Sequence, residues 1–304
     1  MISTLAAAPE PADLERRFGG LRRLYGDAGY AQLRQARVAV VGLGGVGSWA
    51  VEALARSGVA TLVLIDLDQV AESNINRQVQ AMGSTLGQAK TEALRARIGD
   101  IHPGCTVHAV EDFVQPDNWP AILPCAVDVL IDACDQVRAK ASLVQWALAQ
   151  GVPVVCVGAA GGKTHAEQVE VADLAEVTHD PLLASLRQRL RQAGRLQAAA
   201  TAAPATAADD ASPDRAPHAA ARLGPRLGVR CVFSRESVSG ASGPTATGDS
   251  GAPLACHGYG SSVAVTATFG MVAASVAISC LVGARALRDA AKIDLYSKAQ
   301  RTGR

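Results

Sequence analysis

Residues 36–68 read ARVAVVGLGGVGSWAVEALARSGVATLVLIDLD, and this stretch decides the fold. An apolar run over Arg37–Val41 ends in Gly42-Leu43-Gly44-Gly45-Val46-Gly47. A helical pattern follows to about Arg56, and a second apolar run, Thr61–Ile65, ends in Asp66. Strand, glycine turn, helix, strand and acid in that order specify a right-handed βαβ unit that binds a nucleotide. Gly42, Gly44, Gly45 and Gly47 let the backbone turn sharply and approach phosphate, and the following helix aims free N–H groups at that anion. Asp66 is placed to accept hydrogen bonds from a ribose hydroxyl. The alternative is that the glycines only let the helix sit close to the strand. The complete strand–turn–helix–strand context favours the nucleotide.

The apolar share of 49% suits a chain of 304 residues with a large core. Net charge is +1, so no global field points to a polyanionic partner. Seven scattered cysteines, none in a C-x-x-C pair, argue against a spaced zinc cluster and a disulfide framework. With no basic and apolar leader at the N-terminus, the expected compartment is the reducing cytoplasm.

Outward from the βαβ unit, strands and helices alternate. Residues 1–12 read as a flexible tail, and 13–25 form an arginine-rich segment interrupted by Gly19-Gly20. A short helix is expected over 26–35 and a polar loop over 68–80. A helix follows from about Leu86 to Ile98, stopped by Gly99 and Pro103. Strands are expected at 106–110, 127–131, 152–157, 169–174 and 228–234, with helices at 137–150 and 180–192. This alternation implies an α/β, Rossmann-like, mostly parallel sheet with helices on both faces. C-terminal strands and a buried apolar helix extend it. The nucleotide-binding region is expected over 13–197, an Ala/Pro-rich disordered insertion over 198–226, and the rest of the same domain over 227–304. The apolar stretch 262–283 is long enough to span a bilayer, but Thr, Ser, Gly and Ala dilute it and it lacks an aromatic belt. It reads as a helix buried on the sheet; membrane association is the minority reading.

The residues beyond Asp66 discriminate between nucleotides. Asn74, Asn76-Arg77-Gln78 and Lys90 stand where a triphosphate would extend from the glycine turn. Arg77 can clamp a phosphate in bidentate fashion and Lys90 supplies a point charge. Asp135, at the exit of the fourth strand, can hold Mg²⁺ between phosphates. Each also has a plainer reading: Arg77 and Lys90 as surface cations, Asp135 as a helix cap. Together they suit ATP better than NAD. Gly158–Lys163 (GAAGGK) departs from phosphate-loop spacing and reads as a backbone loop beside the site. Arg187, Arg189, Arg191 and Arg195 form a basic helix segment, either a solvated face or a nucleic-acid contact.

The series G-x-G-G-x-G, D-x-D, N-x-N-R-Q, G-x-x-K and D-x-x-D resembles the adenylating domain of the ubiquitin-activating-enzyme superfamily over about residues 14–180. The added marks RFGG…RLYG, DPL, GVRCVFS and TATFGMVA resemble its tRNA threonylcarbamoyladenosine dehydratase branch. That resemblance implies an ATP- and Mg²⁺-dependent, tRNA-modifying ligase. Its substrate is a modified adenosine beside the anticodon, whose threonyl carboxylate is adenylated before the side chain's ureido nitrogen closes a ring. It assigns nucleotide-binding positions to Gly45, Asp66, Asn76, Arg77, Lys90 and Asp135, with Arg77, Lys90 and Asp135 acting in catalysis. It also implies a homodimer in which an N-terminal arginine, Arg17 or Arg23, reaches the partner's phosphates, and a possible partner in a cysteine-desulfurase system. Since the nucleophile is tethered to the substrate, Cys231 and Cys256 are left out of the catalytic set.

The main rival is adenylation of the C-terminus of a ubiquitin-like sulfur-carrier protein. It requires the zinc-binding cysteine pairs absent from this sequence, so no zinc is expected. A non-catalytic adaptor would not need Arg77, Lys90 and Asp135. A NAD-dependent oxidoreductase would need a nicotinamide pocket instead.

Overall fold

In a computed structural model, residues 12–201, 227–237 and 259–301 are described. Residues 1–11 of the expected tail 1–12, residues 202–226 of the expected insertion 198–226, and Cys256 lie outside them, whereas 198–201 belong to the helix that ends at Thr201. Helices α1 (Leu14–Phe18) and α2 (Gly20–Leu33) lead into β1 (Arg37–Val41), followed by α3 (Gly47–Arg56) and β2 (Thr61–Ile65). Next come α4 (Lys90–Ile101), β3 (Thr106–Val110), β4 (Val129–Asp132), α5 (Val137–Gln150), β5 (Val154–Val157) and β6 (Val169–Asp173). The chain ends with α6 (Pro181–Thr201), β7 (Arg230–Ser234) and α7 (Val263–Arg301).

One seven-stranded sheet has the order β3-β2-β1-β4-β5-β7-β6. All pairs are parallel except β6–β7. The chain winds from β1 toward β2 and β3, then returns to β1's other side for β4 and β5. The C-terminal ends of β1 and β4 therefore form the switch point where α/β sheets open a crevice.

Strand alternation divides the core. Val38, Val40, Leu62 and Leu64 face α3 and α7, whereas Ala39, Val41, Val63 and Ile65 face α5 and α6. On α7, Val265, Phe269, Ala273, Ala277 and Leu281 recur every four residues and form one buried stripe. Gly270 lets α7 approach α3, since a Cβ there would meet the Val46 carbonyl oxygen at 2.5 Å. The segment Val263–Gly283 is long and apolar enough to cross a membrane. Its buried stripe covers α3, β4 and β5. Truncating the fully buried Phe269 to Ala would cost about 3–5 kcal/mol.

Several boundaries differ from expectation for local reasons. The helix breaks at Gly19 as expected, but Gly20 already opens α2, which kinks at Gly26 with φ 70°. The helix expected from Leu86 begins at Lys90, because residues 83–85 make a separate tight turn and Gly87 adopts φ 77°. It runs past Gly99, which keeps a negative φ, to Ile101. β5 starts two residues late because the Val152 N–H caps α5 at the Ala147 carbonyl, 2.9 Å, beyond left-handed Gly151. β4 starts at Val129, since Asp128 turns its carboxylate to the backbone N–H and guanidinium of Arg37. α6 extends beyond the expected 192 to Thr201.

Candidate nucleotide site

A cavity of about 560 Å³ opens at the C-terminal ends of β1, β4 and β5. Its floor is the glycine turn. Gly42 takes φ 84°, and a Cβ there would strike the Ala133 carbonyl at the end of β4. The register pairing Val41 with Asp132 puts the two strand exits side by side. Gly44 faces open space where a side chain would stand. Gly45 makes room for the Arg77 stem, whose Cγ lies 3.2 Å from where a Cβ would be. Among the described residues the N–H groups of Gly44, Gly45 and Val46 find no acceptor. They precede the α3 helix and suit an anion.

Asp66, at the end of β2, is 7% exposed and lines the cavity. One oxygen accepts the Leu43 N–H at 2.6 Å and the other the Asp68 N–H at 2.9 Å. Burial pushes its carboxyl above the ordinary range, against the opposing pull of the Lys90 ammonium and these N–H donors. Lys90 Nζ stands 2.6 Å from Asp68 and 3.6 Å from Asp66. A short bridge between Gln69 and Ala89 places it there, with the Lys90 N–H bonded to the Asp68 carbonyl. Arg77 donates to the Ser73 carbonyl at 2.6 Å and to the Asn76 side-chain oxygen at 2.9 Å. Its own carbonyl accepts from the Trp49 indole at 2.9 Å. Asn74 accepts the Ala71 N–H at 3.1 Å and shapes the turn that carries Arg77. Asp135 lines the cavity and makes no hydrogen bond or ion pair among the described residues. The position before α5 is Gln136, which gives no side-chain cap, so Asp135 is not spent as one.

Gly42, Gly44, Gly45, Asp66, Asn74, Arg77, Lys90 and Asp135 thus line one cavity. Gly47 and Asn76 do not. A Cβ on Gly47 would overlap the Gly42 carbonyl oxygen, so Gly47 serves the turn itself. Asn76 donates to the Ser261 carbonyl at 2.9 Å and anchors the start of α7. Arg17 lies outside the cavity and donates to the Asp100 and Ile101 carbonyls, both at 2.8 Å, at the end of α4. Arg23 is exposed and outside the cavity. Gly158–Gly161 form the far wall, whereas Lys163 turns away to the Ser234 and Glu236 carbonyls. Of the basic helix, Arg187 is committed to the Leu174 and Val177 carbonyls. Cys231 is buried on β7, where burial pushes its thiol far up and makes it a poor nucleophile.

Sequence reading missed Phe113, Pro181, Leu182, Tyr259, Ser261 and Thr266 on the cavity wall. It also missed the support beneath it. Lys140 on α5 and Asp132 are both fully buried, 3.0 Å apart, and Lys140 also donates to the Asp132 carbonyl. Asp180 opens α6 and accepts the Ala159 N–H at 2.8 Å, tying the far wall to that helix. The D-x-x-D pattern was the available signal for Asp132, but not for its buried partner.

The geometry has close counterparts. The tRNA threonylcarbamoyladenosine dehydratase of Haemophilus influenzae is 48% identical over 178 residues, 59% of this chain and 68% of that protein. The Escherichia coli protein of the same name is 37% identical over 281 residues, 90% of this chain and 96% of that one. A crystal structure of the E. coli tRNA N6-threonylcarbamoyladenosine dehydratase in complex with ATP superposes with a TM-score of 0.72 at 37% identity. It covers 91% of this chain and 98% of that one. Residues 17–302 match the ThiF family, and the chain belongs to that family.

Proposed function

We propose that this chain binds ATP in the cavity and adenylates the threonyl carboxylate of threonylcarbamoyladenosine in tRNA, after which the substrate's ureido nitrogen closes a five-membered ring. One observation carries the reading: a ribose-side acid, unsatisfied turn N–H groups, two cations and an unpartnered carboxylate meet in one cavity. The E. coli relative, similar over nearly its whole length, carries this activity in its name and has been seen with ATP.

The substrate carboxylate attacks the α-phosphorus, a P–O bond to pyrophosphate breaks, and an acyl-adenylate forms. Arg77 and Lys90 offset charge as pyrophosphate departs. The ureido nitrogen then attacks the activated carbonyl carbon, releasing AMP and a proton. Because this nucleophile is already attached to the substrate, effective molarity replaces a protein nucleophile. Asp135, a hard oxygen ligand that lines the cavity without a partner among the described residues, fits Mg²⁺, which is held by few carboxylates together with substrate phosphates. When bound, the ion would neutralise phosphate charge. Incubation with ATP, Mg²⁺ and threonylcarbamoyl-modified tRNA should remove one water mass from the modified nucleoside. AMP release only with a carrier protein ending in Gly-Gly would replace this reading by the sulfur-carrier one.

The same reading extends to a cytoplasmic homodimer that works beside a cysteine-desulfurase system. Arg23, exposed where Arg17 is engaged, is the better candidate to reach a partner's phosphates. Sedimentation as a monomer at working concentrations would remove that part.

A further inference from the structure

Two aromatic residues stand apart. Of the Phe, Tyr and Trp side chains described, just Phe113 and Tyr259 are exposed, at 38% and 44%, and both line the cavity. The other described aromatics are buried or half-buried. Exposed aromatic faces on a wall with phosphate-binding groups suit flat bases.

The two stand on different sides of the cavity. Phe113 follows β3, beyond β2 and its acid Asp66, the side where the ribose and base of a nucleotide held by the glycine turn extend. Tyr259 sits at the other end, and its neighbours in sequence fasten it there. The Gly260 carbonyl accepts the Gly162 N–H at 2.9 Å, from the loop after β5. The Ser261 carbonyl accepts from Asn76, next to Arg77, at 2.9 Å. Tyr259 therefore stands on a turn tied to both the far wall and the phosphate-side turn. The backbone that carries the ring is thus already fixed, so it need not be ordered when something stacks there.

We infer that Tyr259 is the stacking platform for the single-stranded tRNA base that carries the substrate carboxylate. This inference rests on tRNA being the substrate. The carboxylate must enter a cavity of about 560 Å³ to meet the α-phosphate, while the rest of the RNA stays outside. The base that bears it must leave its own stack and stop at the mouth. An exposed ring at the mouth, on the acceptor side of the phosphates, compensates for the lost stacking.

A double-mutant cycle tests this. Binding of an anticodon stem-loop RNA is measured with the target nucleotide as unmodified adenosine or abasic, so that neither RNA carries the carboxylate, on wild-type protein and on Tyr259→Ala. Removing the base should weaken wild-type binding roughly 5- to 100-fold, and binding to Tyr259→Ala less than about threefold. In turnover, Tyr259→Ala should raise the KM for tRNA by a similar factor and leave the KM for ATP within about twofold. Tyr259→Phe and Tyr259→Trp should rescue it. Equal losses from base removal on both proteins, or a rise in the ATP KM instead, would overturn the platform. If wild-type protein dehydrates the nucleoside but the cycle shows no coupling, only Tyr259 is reassigned. If wild-type protein does not dehydrate it, the reading of the site fails and takes the platform with it.

Discussion

Two lysines in this chain pair with aspartates at strand ends, and their surroundings give them opposite work. Lys140 and Asp132 are sealed: both side chains are fully buried, and Lys140 also holds the Asp132 carbonyl. Burial alone would push the Lys140 ammonium down, but the Asp132 carboxylate outweighs it and holds the pKa above its ordinary value. Lys90 also has little exposure, yet it opens on the cavity and shares itself between Asp68, which is half exposed, and Asp66. A charge that already has a close, dry partner has little left for a ligand. One held between two carboxylates beside empty space can turn to an incoming phosphate. The first pair fixes the strand end that carries Asp135, and the second meets the nucleotide.

The largest effect expected breaks the sealed pair. Lys140→Ala leaves Asp132 buried and unpaired and should lower unfolding stability by about 3–5 kcal/mol. Chemical denaturation would measure it, and a loss under 1 kcal/mol would mean that water reaches Asp132. Lys90→Ala should do the reverse. Its stability loss should be smaller than that of Lys140→Ala, because Asp68 is half exposed and Asp66 keeps its N–H donors. Turnover should fall about 10²–10³-fold through lost charge stabilisation. A Lys90→Ala protein that unfolds easily but turns over normally would exchange the two roles.

This contrast also separates what was legible in the sequence from what was not. The wall built from residues 42–90 is nearly contiguous, and its glycines, acid and cations have local signatures. Asp135 follows from its place after a strand. Phe113, Leu182 and Tyr259 reach the same cavity from three distant segments, brought there by crossovers that no local pattern encodes. Lys140 lies in an ordinary helical run, where nothing reveals that α5 buries it against β4. Gly47 and Asn76 belonged to recognisable motifs, yet the motif could not say that one serves the turn and the other holds α7. Gly47→Ala sharpens that point. Crowding against the Gly42 carbonyl should cost about 1–3 kcal/mol and raise the KM for ATP by distorting the turn. Normal melting with impaired ATP binding would return Gly47 to direct contact.

A third buried basic group extends the comparison to one with no acid at all. His102 is 1% exposed, stacks on Phe18 with ring centroids 4.8 Å apart, and its Nδ1 has no partner. Its other nitrogen faces the Arg34 guanidinium. Burial, then Arg34, then Arg17 push its pKa below the ordinary 6.5. The unfolded chain therefore binds a proton that the folded chain refuses, once pH drops below about 6.5. Stability from this group is full above that value and declines as pH falls toward the folded pKa, by at most about 1.4 kcal/mol per pH unit. Denaturation midpoints measured from pH 7 to pH 5 should show the decline in wild-type protein and a flatter profile in His102→Asn. Glu52 does not confuse the reading. Burial pushes it up, but Arg97 and Arg56 hold it below its ordinary 4.5, so its contribution is lost only at lower pH. An unchanged slope in His102→Asn would mean that the imidazole is protonated in the fold, and that Arg34 tolerates a second cation beside it.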